Sequence, residues 1–175
     1  MDSIRIFGYK SFKKLSVQLH PINLLIGANG AGKSNFLSLF EMLANIYEKR
    51  LGAYVAQVGG VDKLLYQGRK VTERIAVNLL TAKREYDLEL LESDGKLIVE
   101  REVVRCYDDV CPLDLVRKNV ITEYQSESSL KDHKEEDLSN YISQIRKFHF
   151  HDTGRRSPFT ADSHIVNDAY RMYEH

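Results

Sequence analysis

Residues 27–34 read Gly27-Ala28-Asn29-Gly30-Ala31-Gly32-Lys33-Ser34, which matches the phosphate-loop pattern G-x-x-x-x-G-K-[ST] in full. Glycines let successive backbone N–H groups turn towards phosphate oxygens, and a helix after such a loop adds the positive end of its dipole. Lys33 is expected to reach the β- and γ-phosphates of a nucleotide, and the Ser34 hydroxyl to ligate Mg²⁺. This segment therefore predicts nucleotide binding.

The segments on both sides of the loop have the patterns that a phosphate loop requires. Residues 22–26 are short and mostly apolar, which predicts a strand buried on both faces. From Ser34 to about Arg50, apolar residues recur every three or four positions, which predicts an amphipathic helix with the stripe Phe36, Leu37, Phe40, Leu43, Ala44 and Tyr47. The alternative is a glycine-rich turn that has Lys-Ser by chance, and the full match with both flanks disfavours it.

The remaining strands predict a mixed α/β fold with an antiparallel β meander. Apolar and polar residues alternate over 2–7 and 14–19, the period of half-buried strands. Three further alternating runs over 71–105 predict the meander. Ser93-Asp94-Gly95 predicts one of its hairpin turns, because glycine supplies a positive φ.

Other parts of the chain predict loops and one more helix. Residues 52–70 are rich in glycine and predict a loop with room for one short helical turn, and residues 106–133 predict an irregular loop. A helical stripe runs over 135–147, and residues 148–151 alternate like a strand. Residues 153–175 show no periodicity and are expected to be irregular.

Composition sets the general class of protein. The chain has 43% hydrophobic and 29% charged residues, which is typical of one globular domain, and it has no apolar run long enough to cross a membrane. Its 25 basic residues balance its 25 acidic ones, so no general attraction to nucleic acid or anionic lipid is visible. The N-terminus lacks a signal-peptide pattern, and Cys106 and Cys111 fit neither a zinc site nor a disulfide framework. A cytoplasmic protein is expected.

A family resemblance rests on the residues around the loop. Ile4-Arg5-Ile6-Phe7-Gly8-Tyr9-Lys10-Ser11-Phe12, an alternating strand and then residues 23–35 together resemble the N-terminus of RecF- and SMC-like ATPases, which have ABC-type heads. Residues 59–65 before Gly68-Arg69-Lys70, and residues 148–153, look like a bacterial group of predicted AAA-family ATPases of the RecF type. The resemblance implies ATP and Mg²⁺ as cofactors. The implied binding residues are Gly27, Ala28, Asn29, Gly30, Ala31, Gly32, Lys33, Ser34 and Asn35, with Ser34 as the metal ligand.

The resemblance also implies that residues 1–175 form the N-terminal lobe of such a head. A complete head has a second lobe with an LSGGQ-like signature, a Walker B strand ending in Asp-Glu and a switch histidine. The nearest matches are incomplete, since Asp137-Leu138-Ser139-Asn140 lacks the glycines, residues 97–100 lack the Asp, and Arg105 interrupts residues 103–108. The sequence therefore assigns no catalytic residue. We expect nucleotide binding, with hydrolysis weak or absent without the second lobe.

Two functions of different classes stay open. The first is an ATP-driven module, the nucleotide-binding lobe of a RecF/SMC-like ATPase in DNA repair or phage defence, which dimerises head to head. The second is a non-catalytic nucleotide-binding or assembly subunit. In both, the expected partner is a missing C-terminal lobe or a partner chain, and a lobe alone would expose an apolar face. A DNA contact and the preference for ATP over GTP rest on the resemblance. A small-molecule kinase is disfavoured, because its phosphate loop would lie near residue 10.

Two further segments are weaker candidates for contacts with the nucleotide. The resemblance implies that Lys10 and Ser11 lie beside the nucleotide, whereas the residues alone suggest an exposed turn just as well. In relatives a loop near Gly59 can present an arginine to the nucleotide, but here Val58 and Gly60 flank that glycine.

Three polar residues near the chain's end leave three interpretations open. His149, His151 and Asp152 suggest a metal site, sensing of Mg²⁺ and γ-phosphate at a Q-loop, or a solvated strand end. Arg146-Lys147 and Arg155-Arg156 form at most a small basic patch for DNA.

Overall fold

The computed structural model of the chain describes residues 1–106, 119–132 and 136–145. Short 3-10 turns lie at Val61–Lys63 and Leu130–Asp132. The helices and strands, in chain order, are β1 (Ser3–Tyr9), β2 (Phe12–Gln18), α1 (Lys33–Tyr47), α2 (Leu51–Gln57), β3 (Arg74–Leu80), β4 (Arg84–Ser93), β5 (Lys96–Cys106), β6 (Asn119–Gln125) and α3 (Glu136–Ser143).

The six strands form one sheet in the order β2-β1-β3-β4-β5-β6, and every neighbouring pair is antiparallel. β1 and β2 form a hairpin. The chain then leaves the sheet for α1 and α2 and returns as β3 on the other side of β1. The mixed α/β class and the antiparallel meander are therefore confirmed.

One face of the sheet and one face of α1 form a common hydrophobic core. Alternation along β1 and β3 buries Ile4 and Ile6 together with Ile75, Val77 and Leu79. The helical period of α1 buries Phe36, Leu39, Met42, Leu43 and Ile46 in the same core. Full burial of such a side chain contributes about 1.5–3 kcal/mol. The core thus fixes the start of α1, where the phosphate loop ends, relative to β1.

Residues 22–26 do not form the predicted buried strand. The segment has no regular secondary structure, and Ile22, Leu24 and Ile26 are 89%, 81% and 83% exposed. A strand needs a neighbour for its backbone hydrogen bonds, and among the described residues the sheet ends at β2, with no strand beside residues 22–26. The apolar pattern was correct, but within the described chain nothing covers it.

Two elements were missed by the sequence patterns, and one turn was found. Residues 52–70, predicted as a loop with room for one short helical turn, contain most of the two-turn helix α2, and the residues predicted as an irregular loop contain β6. The hairpin turn between β4 and β5 is where it was predicted, with Asp94 and Gly95 at φ values of 51° and 79°. The helix expected over 135–147 is observed as α3. The predicted strand at 148–151 and the tail at 153–175 lie outside the described residues.

Two carboxylates attach the segment after β6 to the rest of the fold. Glu102 on β5 is fully buried and accepts hydrogen bonds from Tyr86 OH, from Ser128 Oγ at 2.6 Å and from Ser129 N at 3.0 Å. Glu127 accepts from Leu51 N at 2.9 Å, so it caps the N-terminus of α2. These contacts fix α2, which leads into the loop beside the candidate site.

Buried tyrosines predict a loss of stability in alkaline solution. Burial and the neighbouring Glu102 carboxylate raise the pKa of Tyr86 well above its ordinary value, and burial with the neighbouring Tyr54 raises the pKa of Tyr9. In the unfolded chain both tyrosines ionise near pH 10. Because the folded pKa values are raised, the stabilisation is complete below pH 10 and is lost as the pH rises above it. We expect each such tyrosine to lower the free energy of unfolding by up to about 1.4 kcal/mol per pH unit there.

Denaturant unfolding of wild type and Tyr86→Phe at pH 9, 10 and 11 measures this slope. The free energy of unfolding of Tyr86→Phe is expected to fall less steeply than that of wild type, with a slope smaller by up to about 1.4 kcal/mol per pH unit, because one proton fewer is released. Equal slopes for the two proteins would contradict the prediction.

Candidate functional site

The phosphate-loop residues lead directly into the N-terminus of α1. Gly30 and Gly32 have φ values of 83° and 94°, a conformation that favours glycine. Gly32 is the N-cap of α1 and has no side chain to offer to the first N–H groups of the helix, and residues 33–36 include no acid. These N–H groups, with the positive end of the helix dipole, suit an anion.

The side chains of the loop supply a cation and a hydroxyl. Lys33 Nζ donates to Gly27 O and Ala28 O, both at 2.7 Å, so the ammonium lies on the loop itself. Ser34 is exposed in the first turn of α1. Its hydroxyl is a hard oxygen donor of the kind that Mg²⁺ accepts alongside phosphate oxygens. The residues present therefore fit a magnesium-bound phosphate chain.

The turn between β1 and β2 sits against the junction of the loop and α1. Asn35 Nδ2 donates to Ser11 Oγ at 2.9 Å, and Lys10 Nζ donates to Ser38 Oγ at 2.8 Å. A Cβ on Gly32 would lie 3.2 Å from the ring of Phe12, so the loop and the turn are in close contact. The structure thus brings Lys10 and Ser11 next to Asn35.

A cavity of about 800 Å³ adjoins this junction. The residues that give it its charge and polarity are Lys10, Asn35, Asp62, Lys63, Arg69 and Lys70. Four cations against one acid make it basic, and its volume lies within the roughly 300–1,000 Å³ of small-molecule sites.

Arg69 is a cavity residue that sequence reasoning missed. Its backbone N–H donates to Asp62 Oδ1 at 2.9 Å, and its Nε lies 3.4 Å from Asp62 Oδ2. The family resemblance suggests an arginine close to Gly59, whereas the chain has Arg69 ten positions later. Gly68-Arg69-Lys70 was part of the family resemblance, and its two basic residues were the available signal.

The loop that lines the cavity is bonded to the first hairpin. Lys10 N donates to Leu64 O at 2.7 Å, and Tyr66 N donates to Gly8 O at 2.9 Å. Tyr9 and Leu65 form an isolated antiparallel bridge between these bonds. The wall of the cavity is therefore held by backbone hydrogen bonds, although it is a loop in sequence.

None of the described residues at this site belongs to the remaining candidates for metal or DNA binding. Among the described residues, no group of three or more His, Cys, Asp or Glu side chains could hold a metal ion. The site suggested by His149, His151 and Asp152 lies outside those residues, as do the basic pairs 146–147 and 155–156. Within the described part of the chain, none of the helices has both the length and the apolar composition needed to cross a bilayer.

The loop, the helix after it and the adjoining basic cavity define a protein of the nucleotide-binding P-loop class. Residues 1–161 match the family model described as AAA ATPase domain. The match covers most of the chain, which therefore belongs to the AAA ATPase domain family. The curated proteins compared with the chain gave no match. Membership of the family supports ATP as the ligand of the loop.

Proposed function

We propose that this chain is the ATP-binding, N-terminal lobe of a RecF/SMC-like P-loop ATPase. Residues 27–35 hold the phosphates, and Ser34 ligates the Mg²⁺ that ATP brings. The observation that supports this best is the start of α1, where Gly32 leaves the helix N–H groups open beside Lys33. ATP displaces the Lys33 ammonium from the two loop carbonyls and gives it phosphate oxygens instead.

The basic cavity receives the part of the nucleotide that extends beyond the loop. Lys10 and Asn35 line the cavity, and both contact the turn or helix next to the loop. A ligand held by the loop therefore has a direct way into the cavity. Lys63, Arg69 and Lys70 give the cavity wall the charge that suits an anionic ligand.

A second lobe or a partner chain completes the enzyme. The apolar segment 22–26 precedes the phosphate loop directly, and within the described part of the chain its exposed side chains lack the cover that an apolar run normally has. The incomplete matches to the signature and Walker B motifs favour that partner as the source of the hydrolytic groups. Head-to-head dimerisation and action in DNA repair or phage defence follow from the family resemblance and belong to the same proposal. The proposal also includes a cytoplasmic location.

The second candidate function is a non-catalytic nucleotide-binding or assembly subunit. The same incomplete motifs favour it for this chain by itself. Turnover discriminates the two, because only the ATPase lobe gains hydrolysis that rises with DNA once its second lobe is supplied.

Calorimetric titration with ATP tests the binding function. The chain is expected to bind one Mg²⁺-ATP, more tightly than GTP, and to turn it over slowly or not at all. Ser34→Ala is expected to weaken Mg²⁺-ATP binding about tenfold, which is about 1.4 kcal/mol. It should leave binding of ATP in EDTA unchanged, because the hydroxyl acts through the metal.

Two results, one from the titration and one from a turnover assay, would contradict parts of the proposal. Wild-type chain that gives no saturable heat with Mg²⁺-ATP overturns nucleotide binding altogether. Rapid turnover that DNA stimulates in this chain alone overturns the need for a second lobe but keeps the ATPase.

A further inference from the structure

Ser38 on α1 is a buried polar residue whose hydroxyl makes three hydrogen bonds. It accepts from Lys10 Nζ at 2.8 Å, lies 2.9 Å from Tyr9 OH and donates to Asn35 O at 2.8 Å. A serine hydroxyl has one proton and two acceptor positions. Because the proton goes to Asn35 O, Tyr9 OH must donate, and all the capacity of the hydroxyl is used.

The position of Ser38 on α1 brings its hydrogen bond with Lys10 close to the phosphate loop. Ser38 lies four residues after Ser34, so both lie on the same face of α1. Its bond to Asn35 O brings the hydroxyl back to the first turn, where Asn35 lines the basic cavity. The Lys10 ammonium is therefore held beside the helix turn that follows the loop.

Lys10 is held at both ends. Its backbone has a φ of 46°, a conformation that is uncommon outside glycine, and its N–H donates to Leu64 O. The four-carbon side chain between backbone and ammonium is flexible. The Ser38 hydroxyl restricts where that ammonium can be.

We infer that Ser38 is a positioning residue that holds Lys10 in place for an anionic oxygen of the bound nucleotide. This rests on the proposed function. Ser38 itself does not touch the ligand. It keeps the Lys10 ammonium at the border of the phosphate loop and the cavity. Ligand binding then does not have to order this lysine side chain.

A purely structural role for Ser38 is the competing explanation. Tyr9 OH and Tyr54 OH both reach Ser38, the second at its carbonyl oxygen at 3.3 Å, and both tyrosines are buried. Tyr9→Phe removes one of the three bonds of the hydroxyl and leaves Lys10 its acceptor. It is therefore the matched control for packing.

A double-mutant cycle on Mg²⁺-ATP affinity tests the inference. Ser38→Ala and Lys10→Met are each expected to raise the Kd about fivefold, and the double variant no further than either single one. Tyr9→Phe should lower the melting temperature and leave the Kd unchanged. As a second measurement, Mg²⁺-ATP should protect Lys10 of the wild type from amine acylation, read by mass spectrometry, and protect it less in Ser38→Ala.

The possible outcomes distinguish failure of the positioning role of Ser38 from failure of the proposed function. Additive effects of the two substitutions, an unchanged Kd in Ser38→Ala or full protection of Lys10 in that variant overturn the positioning role alone. If the wild type binds Mg²⁺-ATP no better than Lys33→Ala in the same titration, the proposed function is overturned, and this inference falls with it.

Discussion

Mg²⁺-ATP is expected to raise the melting temperature of the wild-type chain by about 5–11 °C, and that of Lys33→Ala by no more than about 2 °C. A ligand at 100 times its Kd stabilises the folded state by about 2.7 kcal/mol. Lys33 is expected to give charge-assisted hydrogen bonds to the phosphates, and their loss should weaken binding about 100-fold. At the same ligand concentration, the ligand therefore stabilises Lys33→Ala by only about 0.4 kcal/mol. Thermal melting with and without ligand measures the difference.

The controls for this experiment separate binding from folding. Without ligand, Lys33→Ala should melt close to wild type, because its two bonds to loop carbonyls are exposed. Lys96→Ala removes an exposed lysine from the β4–β5 hairpin and should keep the full shift. A shift in Lys33→Ala as large as in wild type would show that the ligand binds elsewhere, and the proposed function would fall.

Gly8→Ala is expected to lower the free energy of unfolding by about 2–5 kcal/mol, and the melting temperature by at least about 4 °C. Gly8 on β1 has a φ of 72°, which costs an alanine about 1–2 kcal/mol. A Cβ there would lie 2.1 Å from Arg74 O and 2.9 Å from Thr72 Cγ2. Because Arg74 O is backbone, relief requires β1 and β3 to move apart, at a further cost of about 1–3 kcal/mol.

Gly52→Ala is the matched control with the opposite sign. Gly52 is helical within α2, and a Cβ built there has no described neighbour within 4 Å. Alanine at such a position should stabilise the chain by about 0.4–1 kcal/mol. Denaturant unfolding of the two variants checks both values. Equal stability of Gly8→Ala and wild type would mean that the β1–β3 pairing is not as close as described.

Gly8→Ala also reports on the cavity. Gly8 O accepts the Tyr66 N–H that fixes the cavity wall, so a displaced β1 should weaken nucleotide binding as well as the fold. The size of that loss depends on how much of the ligand the cavity holds.

The sequence predicted those parts of the fold that depend on local pattern. α1 followed from an apolar stripe every three to four residues, and the β4–β5 turn from the need for positive φ at Asp94 and Gly95. Both depend on neighbours within a few positions. Their signals are therefore present in a short window.

The elements that were missed depend on distant residues. The glycines near α2 suggested a loop, but Glu127, 76 positions after Leu51, caps that helix. β6 exists as the partner of β5, and no short window contains that pairing. Residues 22–26 show the converse, because an apolar run predicts burial and the described chain supplies no neighbour for it.

The same division applies to the candidate site. Residues 27–35 were visible as a continuous motif whose chemistry follows from residue type. The cavity was not visible in the sequence, since Asp62 and Arg69 belong to a loop that the Tyr66 N–H joins to Gly8 O across the fold. Ser38 gave no signal either, because its importance depends on Lys10 and Tyr9, nearly thirty residues earlier.

The return of β3 to the side of β1 has a consequence for the thermodynamics of ligand binding. The phosphate loop, α1, α2 and the cavity wall all belong to one excursion of the chain between β2 and β3. β2 and β3 lie on either side of β1, so the sheet holds both ends of that excursion near each other. Closing a long loop costs entropy that grows only with the logarithm of its length, and folding of the sheet has already met that cost. We therefore expect a nucleotide to meet a loop whose two ends are already held together, so that its binding energy has only local ordering to supply.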